Sequence, residues 1–361
     1  MTSEQRSKYE VLKAWLQLQR DRDMIEISPK ELERRLRKFD KKFSLPPAAY
    51  KHAAWWTNEM RKNSHTQARN GWLAAGWRAY PKVRKKKVVN VTFRKEATET
   101  SAKPEVEKVG KVLSMIPLEA WNRILENEPE MKLGDQLPRY GFGKFATLMV
   151  MAALNDYQLK GPADKKYWPV IHELIKENPV PEKLEDMKKL LGRFYEQERF
   201  RKTKLKRLNR FLDSSLARKL WVSNPSDVSK NFLEIWMELA KVMKQKKNAK
   251  TIVFAMKTLA IALILSGHYD FNFSGIPIPV DIRVKRLTSK ILKKELTDDE
   301  VRHFWDEVLN EIRKKQPEVS MIHLDSLVWQ IGNLTDCNDI TEYFEKIQAP
   351  NVGQELCKVI S

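Results

Sequence analysis

The chain has 361 residues and carries 67 lysines and arginines against 47 aspartates and glutamates, a net charge of +20. Its length predicts two or three domains, and an apolar content of 42% with 11 tryptophans excludes a disordered chain. The longest apolar run, residues 252–266, is interrupted by Lys257 and is too short to span a bilayer, and residues 1–10 lack a signal-peptide pattern. Two cysteines form no disulfide framework, and six scattered histidines predict no metal site. We expect a cytoplasmic protein without a cofactor.

Positive charge is concentrated in the first quarter of the chain. Residues 1–95 contain 24 lysines and arginines and 9 aspartates and glutamates, a net charge of +15, whereas the remaining residues have a net charge of only +5. A small domain with this excess attracts polyanions over a long range and releases counterions when it binds one. Nucleic acid is the favoured partner. An anionic membrane surface and an ordinary solvated surface are the alternatives.

The first 95 residues predict a small α+β domain. Apolar side chains at helical spacing predict a helix over residues 9–18, and Ser28-Pro29 is the start signal of a second helix. Residues 88–93 alternate enough to predict a β-strand. We expect helices with one or two strands in this domain.

A linker and an α-helical domain are predicted to follow. Residues 96–108 contain only one aliphatic side chain larger than alanine, Val106, so they contribute little to a core. From residue 109 to residue 361, apolar residues recur every three or four positions, and no segment alternates as a strand, which predicts about ten helices. The helical spacing is clearest in residues 113–125, 145–159, 167–175, 184–200, 232–243, 252–265, 301–312 and 322–331.

One segment, residues 244–288, stands out as a candidate for chemistry, because glycine-rich phosphate loops, HExxH and GxSxG are all absent. Lys250 follows a lysine cluster and starts a strongly apolar helix. The positive end of that helix and the neighbouring lysines disfavour an added proton, so we expect a more nucleophilic amine than that of an ordinary lysine. Pro277 and Pro279 fix the backbone ahead of Asp281, which stands where the next helix begins.

This arrangement resembles the catalytic core of the helix-hairpin-helix DNA glycosylase superfamily, and most closely its archaeal 8-oxoguanine DNA glycosylase/AP lyase branch. The resemblance covers residues 109–345. It implies an all-α glycosylase fold that acts on double-stranded DNA in the nucleoid of a prokaryote. Four segments carry it in the family's order: NDYQLKGPADKKYW at 155–168, KTIVFAMK at 250–257, IPIPVDIRVKRLT at 276–288 and LDSLVWQIGN at 324–333.

The resemblance also implies roles for individual residues. Lys250 would be the Schiff-base nucleophile, and Asp281 the carboxylate that assists loss of the base. The extruded base would be held by stacking side chains and polar groups, and the residues at the matching positions are Gln158, Phe254, Lys257, Asp325 and Trp329. Ordinary alternatives remain: Phe254 and Trp329 as core residues, and Asp325 as a helix N-cap.

Basic and aromatic residues supply candidate DNA contacts. Phosphate contacts are expected from the lysine cluster, including Lys246 and Lys247, and from the basic segment 193–210, including Arg201 and Lys204; a solvated helix face is the alternative for that segment. Residues 45–95 are similar to a small prokaryotic domain of uncharacterised function. Its aromatic faces and base-edge donors and acceptors are Trp55, Trp56, His65, Gln67 and Arg69. The alternative is that the tryptophans of this domain form its core, which is favoured for Trp72 and Trp77.

Three functions follow from these patterns. The favoured one is a bifunctional glycosylase and AP lyase that selects a damaged base, 8-oxoguanine, with the N-terminal domain adding grip on DNA. The second is a restriction glycosylase that excises a normal base at a short site read by the N-terminal domain. The third is a DNA-binding protein with an inactive glycosylase fold, which the presence of both Lys250 and Asp281 disfavours.

Overall fold

The computed structural model describes residues 8–19, 24–57, 71–84, 87–95, 103–334 and 336–360. The chain forms two compact units, Met1–Ser101 and Ala102–Ser361. Within the described ranges, no helix is long and apolar enough to cross a membrane.

The N-terminal unit is a layer of short helices on a three-stranded antiparallel sheet. The strands are β1 (Met24–Ile27), β2 (Trp77–Arg84) and β3 (Lys87–Lys95), in the order β1-β3-β2. The α-helices described in this unit are α1 (Lys8–Gln17), α2 (Pro29–Leu36), α3 (Pro47–Lys51) and α4 (Ala53–Thr57), and a 3₁₀ turn covers Leu73–Ala75.

Tryptophans fill the space between the sheet and the helices. Trp56, Trp72 and Trp77 are at most 1% exposed, and the rings of Trp56 and Trp72 pack against Phe93 of β3. The core role expected for Trp72 and Trp77 is therefore confirmed.

Most of the predicted elements of this unit are present, but it has more strands than expected. Helix α1 and strand β3 are confirmed, and α2 begins where Ser28 Oγ accepts a hydrogen bond of 3.2 Å from Glu31 N. The prediction of one or two strands is too low, since β1 has only four residues and β2 contains Pro81. Proline in a strand argues against a central position, and β2 is accordingly an edge strand.

The C-terminal unit is entirely helical in its described residues, 103–334 and 336–360, which contain no strand. Its sixteen described α-helices are α5 (Lys103–Leu113), α6 (Leu118–Glu126), α7 (Leu137–Tyr140), α8 (Phe142–Leu154), α9 (Trp168–Glu177), α10 (Leu184–Glu196), α11 (Arg201–Leu212), α12 (Ser215–Val222), α13 (Pro225–Lys230), α14 (Phe232–Met243), α15 (Lys250–Leu265), α16 (Ile282–Leu292), α17 (Asp298–Arg313), α18 (Met321–Ile331), α19 (Cys337–Lys346) and α20 (Pro350–Ile360). A 3₁₀ helix covers Pro129–Gln136, and a π-helical turn covers Ala163–Tyr167.

The number and limits of these helices differ from the expectation of about ten. Helices such as α7 and α13 are too short to show a period, and Pro117 divides the apolar stretch 113–125 between α5 and α6. Helix α5 begins at Lys103, so the last residues of the predicted linker are helical. Val106 and Val109 of α5 are 7% and 0% exposed and supply the packing that holds it.

Helices α8 and α15 form the centre of this unit. Both are apolar on almost every side and pack against each other, as expected for helices enclosed by others. Thr258 Oγ1 of α15 donates a hydrogen bond of 3.2 Å to Met149 O of α8. Because α15 is held on all sides, its first residue, Lys250, has a fixed position at the edge of the core.

A close approach at Gly143 provides a test of this packing. A Cβ atom on Gly143 of α8 would lie 2.8 Å from the carbonyl oxygen of Leu220 and closer still to that of Trp221. We expect Gly143→Ala to lower the free energy of unfolding by about 2 kcal/mol, because backbone must move. Gly192→Ala in α10 is the control: the nearest atom, Leu208 Cδ2, is 3.9 Å away. Chemical denaturation should show stabilisation of up to about 1 kcal/mol there, and equal effects would contradict the packing described.

Candidate active site

Lys250 is the first residue of α15 and follows a tight turn from α14. The turn leaves α14 through Lys244, whose φ of 53° is left-handed, and Gln245 N donates a 3.0 Å bond to Ala240 O. This pattern ends helices efficiently because it satisfies their last carbonyls. Ala249 is the N-cap of α15 and provides no side-chain cap. The half-buried Lys250 side chain therefore stands at the positive end of a 16-residue helix.

Arg207 of α11 fixes this turn. Its guanidinium donates to Leu154 O at the end of α8 at 2.8 and 3.1 Å, to Thr251 Oγ1 at 2.9 Å and to Gln245 Oε1 at 3.2 Å. Thr251 directly follows Lys250 in the chain, and Gln245 lies five residues before it. A planar guanidinium with several donors holds such a set of acceptors in one geometry. Arg207 thus positions the backbone on both sides of Lys250.

Asp281 is the N-cap of α16. Its Oδ1 accepts hydrogen bonds from Arg283 N at 2.8 Å and Val284 N at 3.0 Å. Both bonds end on the same oxygen, so Oδ2 is not used by the cap. The half-buried carboxylate is thereby fixed by two backbone donors.

The charges of Lys250 and Asp281 both act on a third group, the buried carboxyl group of Asp156. Asp156 is 8% exposed, and its Oδ2 accepts a 3.0 Å bond from Trp168 Nε1. Burial raises the pKa of Asp156; the Lys250 charge opposes the rise and the Asp281 charge adds to it. The ring of Phe254, one turn after Lys250, lies 6.3 Å from that of Trp168, edge to face. Lys250, Asp281, Asp156 and Phe254 therefore belong to one site.

The site is closed on its inner side by an ion-pair network around Lys257. Lys257 lies two turns after Lys250 on the same face of α15 and is 2% exposed. Its Nζ donates to Asp325 Oδ2 of α18 at 2.6 Å and lies 3.2 Å from Glu128 Oε1. Lys257 therefore lies beneath the site and ties α15 to α18 and to the segment before the 3₁₀ helix.

Carboxyl groups outnumber the single cation in this network. Burial disfavours the charge on Lys257, but Asp325, Glu128 and Glu130 together raise its pKa above the ordinary value. Burial raises the pKa of Asp325 to about 6, with Lys257 opposing the rise and Glu128 adding to it. The pKa of Glu130 is raised as well, by burial first and by the Glu128 charge next. The lysine thus stays charged, while the carboxyl groups of Asp325 and Glu130 hold their protons to a higher pH than exposed carboxyl groups do.

Two buried carboxyl oxygens of this network have no hydrogen-bond partner in the described structure: Asp325 Oδ1 and Glu130 Oε2. Buried polar atoms are normally paired, so such atoms mark places where a ligand or water completes the bonding. Asp325 lies in the middle of α18, whose N-cap is Ser320, so the alternative role of an N-cap is wrong.

Trp329 lies one turn after Asp325 and is half-buried. The guanidinium of Arg283 lies 4.1 Å from the centre of its ring. With its amide oxygen facing Arg283, Asn333 accepts bonds of 2.8 and 3.1 Å from that guanidinium. One face of Trp329 is therefore covered, and a base can stack only on the other unless Arg283 moves.

Gln158 lies two residues after Asp156 in the chain, on the surface of the protein. Its side chain is exposed, and its φ of 47° is left-handed, which non-glycine residues adopt infrequently. The structure thus places this candidate at the rim of the site.

The candidate DNA contacts in the C-terminal unit include both exposed and buried residues. Arg201 and Lys246 are exposed, as phosphate contacts must be, and Lys247 is exposed with its Nζ 4.7 Å from the centre of the Trp236 ring. The prediction for Lys204 is wrong, and so is its alternative of a solvated face. Lys204 is 0% exposed, and its Nζ lies 3.1 Å from Glu198 Oε2.

The N-terminal candidates also divide. Trp56 is 0% exposed and its Nε1 donates a 2.8 Å bond to Ala49 O, so it is a core residue and its predicted contact with bases is wrong. Trp55 is half-buried against Trp56 and Trp72. His65, Gln67 and Arg69 lie outside the described residues.

Comparison with known proteins identifies the family. A model of the AGOG family, described as N-glycosylase/DNA lyase, matches residues 110–359. The chain belongs to this family. It is a DNA glycosylase with lyase activity, and DNA is its substrate. The predicted resemblance is thereby confirmed.

Archaeal members of the family are similar to the C-terminal unit. An N-glycosylase/DNA lyase of Methanopyrus kandleri is 27% identical over 208 residues, which are 57% of this chain and 80% of that protein. One from Nanoarchaeum equitans is 30% identical over 189 residues, 51% of this chain and 73% of that protein. The crystal structure of the Pyrobaculum aerophilum 8-oxoguanine DNA glycosylase, in complex with 8-oxoguanosine, is 23% identical. It superposes with a TM-score of 0.56 over 72% of this chain and 96% of that chain, so the two share a fold.

Several residues of the site were not found from the sequence. Asp156 and Arg283 lie inside two of the segments that carry the family resemblance, two residues from Gln158 and from Asp281, respectively. Glu128 and Glu130 lie in an acidic stretch, and such a stretch is typical of a solvated surface. Arg207 lies in the basic segment expected to contact DNA. In the described part of the chain, no three histidine, cysteine, aspartate or glutamate side chains are grouped so as to hold a metal ion.

The raised pKa of Asp325 predicts a pH-dependent contribution to stability. Its folded-state pKa of about 6 exceeds the ordinary 3.8, so this carboxyl contributes stability that is present below pH 4 and lost as the pH rises to 6. We expect the stability advantage of the native chain over Asp325→Asn to shrink by roughly 2 kcal/mol between pH 4 and pH 7. Thermal melts of both proteins across that range provide the measurement. A stability difference that grows with pH would refute the assignment.

Proposed function

We propose that this DNA glycosylase removes 8-oxoguanine from double-stranded DNA, with Lys250 as the nucleophile. The neutral amine of Lys250 attacks C1′ of the flipped nucleotide, the N-glycosidic bond breaks, and the base departs with the bonding electrons and takes up a proton. The attached nitrogen then loses a proton, the C1′–O4′ bond of the sugar ring breaks, and O4′ takes up a proton, which gives a protonated Schiff base between Lys250 and the opened sugar. Abstraction of a C2′ proton and departure of the 3′ phosphate cut the strand by β-elimination.

The position of Lys250 carries this proposal. It is a half-buried amine at the start of a rigid helix, within electrostatic reach of Asp156 and next to Phe254 and Lys257 on one helical face. Asp281 supplies a carboxylate whose position is fixed by two backbone donors. Positive charge develops on the sugar as the base leaves, and a preorganised carboxylate stabilises that charge.

The pocket beside Lys250 has the chemistry to hold a flipped base. Phe254 and the open face of Trp329 provide stacking surfaces, and Asp325 Oδ1 is an acceptor without a partner in the described residues. A purine carries N–H donors that fit such an acceptor. Support for 8-oxoguanine comes from the family resemblance and from the related Pyrobaculum aerophilum enzyme, which was solved with 8-oxoguanosine.

The proposed function also assigns a role to each part of the chain. Residues 1–95 form a basic domain that grips DNA, residues 96–102 link it to the enzyme, and the glycosylase domain occupies the rest of the chain. The net charge of +15 in residues 1–95 supports this role.

Replacing the nucleophile gives the first test. We expect Lys250→Ala to abolish strand cleavage and borohydride-trapped adducts on a duplex with a single 8-oxoguanine, while its binding to DNA stays within about threefold of the native value. Lys246→Ala, which removes an exposed lysine from the same turn, is the matched control and should retain trapping. An alanine variant that still forms the adduct would exclude Lys250 as the nucleophile.

The choice of base is tested with the same assay on a second DNA. Long unmodified DNA should stay intact under conditions that cut the 8-oxoguanine duplex. Discrete fragments from unmodified DNA would instead show a restriction glycosylase, and the fragment ends would give its recognition site.

A second substitution separates catalysis from helix capping. Asp281→Asn keeps an oxygen that can cap α16 but removes the negative charge, so we expect the single-turnover rate to fall by about 10²-fold or more with little change in stability. Asp336→Asn is the control, because Asp336 caps α19 in the same manner, with its side chain accepting from Asp339 N. An undiminished rate in Asp281→Asn would rule out the electrostatic role.

A further inference from the structure

The outer face of the N-terminal sheet is basic and aromatic. The strand pairing places Arg78 opposite Arg94, Tyr80 opposite Thr92, and Lys82 opposite Asn90 on β2 and β3. Arg78, Tyr80, Lys82 and Arg94 are all exposed, with Tyr80 48% exposed, while the intervening residues of both strands face the tryptophan core. The alternation therefore collects three cations and one aromatic ring on the outer side of β2 and β3.

The register places two arginines side by side on this face. Like charges directly opposite each other on neighbouring strands destabilise a sheet, and Arg78 is the direct cross-strand partner of Arg94. The Arg94 guanidinium lies 5.4 Å from the centre of the Tyr80 ring, which holds it above the face. Among the described residues of the three strands, the carboxylate on this face is Glu26 at the far edge on β1, and Asn90 Nδ2 donates a 2.7 Å bond to it. Positive charge thus concentrates on β2 and the adjoining side of β3.

We propose that the outer face of β2 and β3 binds the DNA duplex, with Arg78, Lys82 and Arg94 contacting its phosphates and base edges along the major groove. The occupant is the enzyme's own substrate, so this inference rests on the proposed function and assigns the DNA contact of the N-terminal domain to one surface.

Dimensions and charge both fit this occupant. The major groove of the duplex is about 12 Å wide. Arg78 and Lys82 are four residues apart on one strand, which corresponds to about 13 Å, so together they can reach phosphates on both sides of the groove. Arginine pairs with phosphate and with guanine through two parallel hydrogen bonds, and the Tyr80 ring offers an apolar surface beside it.

The helical side of the same domain offers a matched control. Helix α2 buries Pro29, Leu32 and Leu36 toward the core, so its remaining side chains point away from the sheet. Lys30 of α2, and Lys38 and Lys41 just beyond it, are exposed. Neutralising these three lysines changes the net charge by as much as neutralising Arg78, Lys82 and Arg94.

The experiment measures binding of the full chain to a fluorescent 30-base-pair duplex over a series of salt concentrations. The triple variant Arg78→Gln, Lys82→Gln and Arg94→Gln should bind on the order of tenfold more weakly at low salt, and the salt slope should fall by about 2 to 3. The control triple Lys30→Gln, Lys38→Gln and Lys41→Gln should change affinity by less than about threefold. Equal effects of the two triples, or no effect of the sheet triple, would overturn the proposal.

Two further readouts keep the result interpretable. If the sheet triple fails to fold, as judged by circular dichroism, single Arg78→Gln is used instead and should lower the salt slope by about 1. Single-turnover cleavage of the 8-oxoguanine duplex should be unchanged in the control triple, because Lys250, its pocket and the outer face of the sheet are intact. Unchanged binding with normal cleavage would refute the sheet proposal alone, whereas absent cleavage in the native chain would refute the proposed function.

Discussion

The ion pair between Lys257 and Asp325 is the interaction on which the active site depends. It joins the central helix α15 to α18 at 2.6 Å, and Glu128 adds a third segment at 3.2 Å. Taking such charges out of water is costly, and the arrangement is stable only while every partner is present. The same bond that fixes the depth of the pocket also fixes α15 along its axis. Since Lys250 starts that helix two turns earlier, the ion pair also helps to fix the position of the proposed nucleophile.

Cationic side chains have two separate uses in the C-terminal unit. Arg207, Lys204 and Lys257 are enclosed and bind protein groups: backbone carbonyls, Glu198, and the carboxyl groups of the pocket. Arg201 and Lys246 remain exposed and available to phosphates. The charged groups at the ends of these side chains are identical in the two classes, and only their surroundings differ. A count of basic residues along a helix therefore overstates the charge that DNA meets.

The same distinction explains what could be predicted from the sequence. The helical class of the C-terminal unit follows from apolar spacing, and the places of Lys250 and Asp281 at two helix starts follow from the residues around them. Periodicity indicates which face of a helix is buried, but it does not indicate which polar residue on that face is paired. The sequence indicates a surface position for Lys204, because its partner Glu198 lies beyond a break in the helix. Glu128 and Glu130 meet Lys257 across more than 120 residues of chain, a pairing that local patterns do not contain. Strand β2 was missed because its outward residues are basic and it includes a proline.

The acidic groups of the pocket offer a physical reason for the high positive charge of residues 1–95. The charges of Lys250 and Asp281 both act on Asp156, and Asp325, Glu128 and Glu130 act on Lys257. A charged carboxylate near the reacting sugar attracts a sugar cation but repels the phosphates on either side of the target nucleotide. Chemistry and affinity for DNA therefore impose opposite demands on local charge. The residues beyond 95 have a net charge of only +5, whereas residues 1–95 have +15. If residues 1–95 grip DNA as proposed, most of the positive charge lies in a unit apart from the carboxyl groups that would stabilise the cation formed when the base leaves.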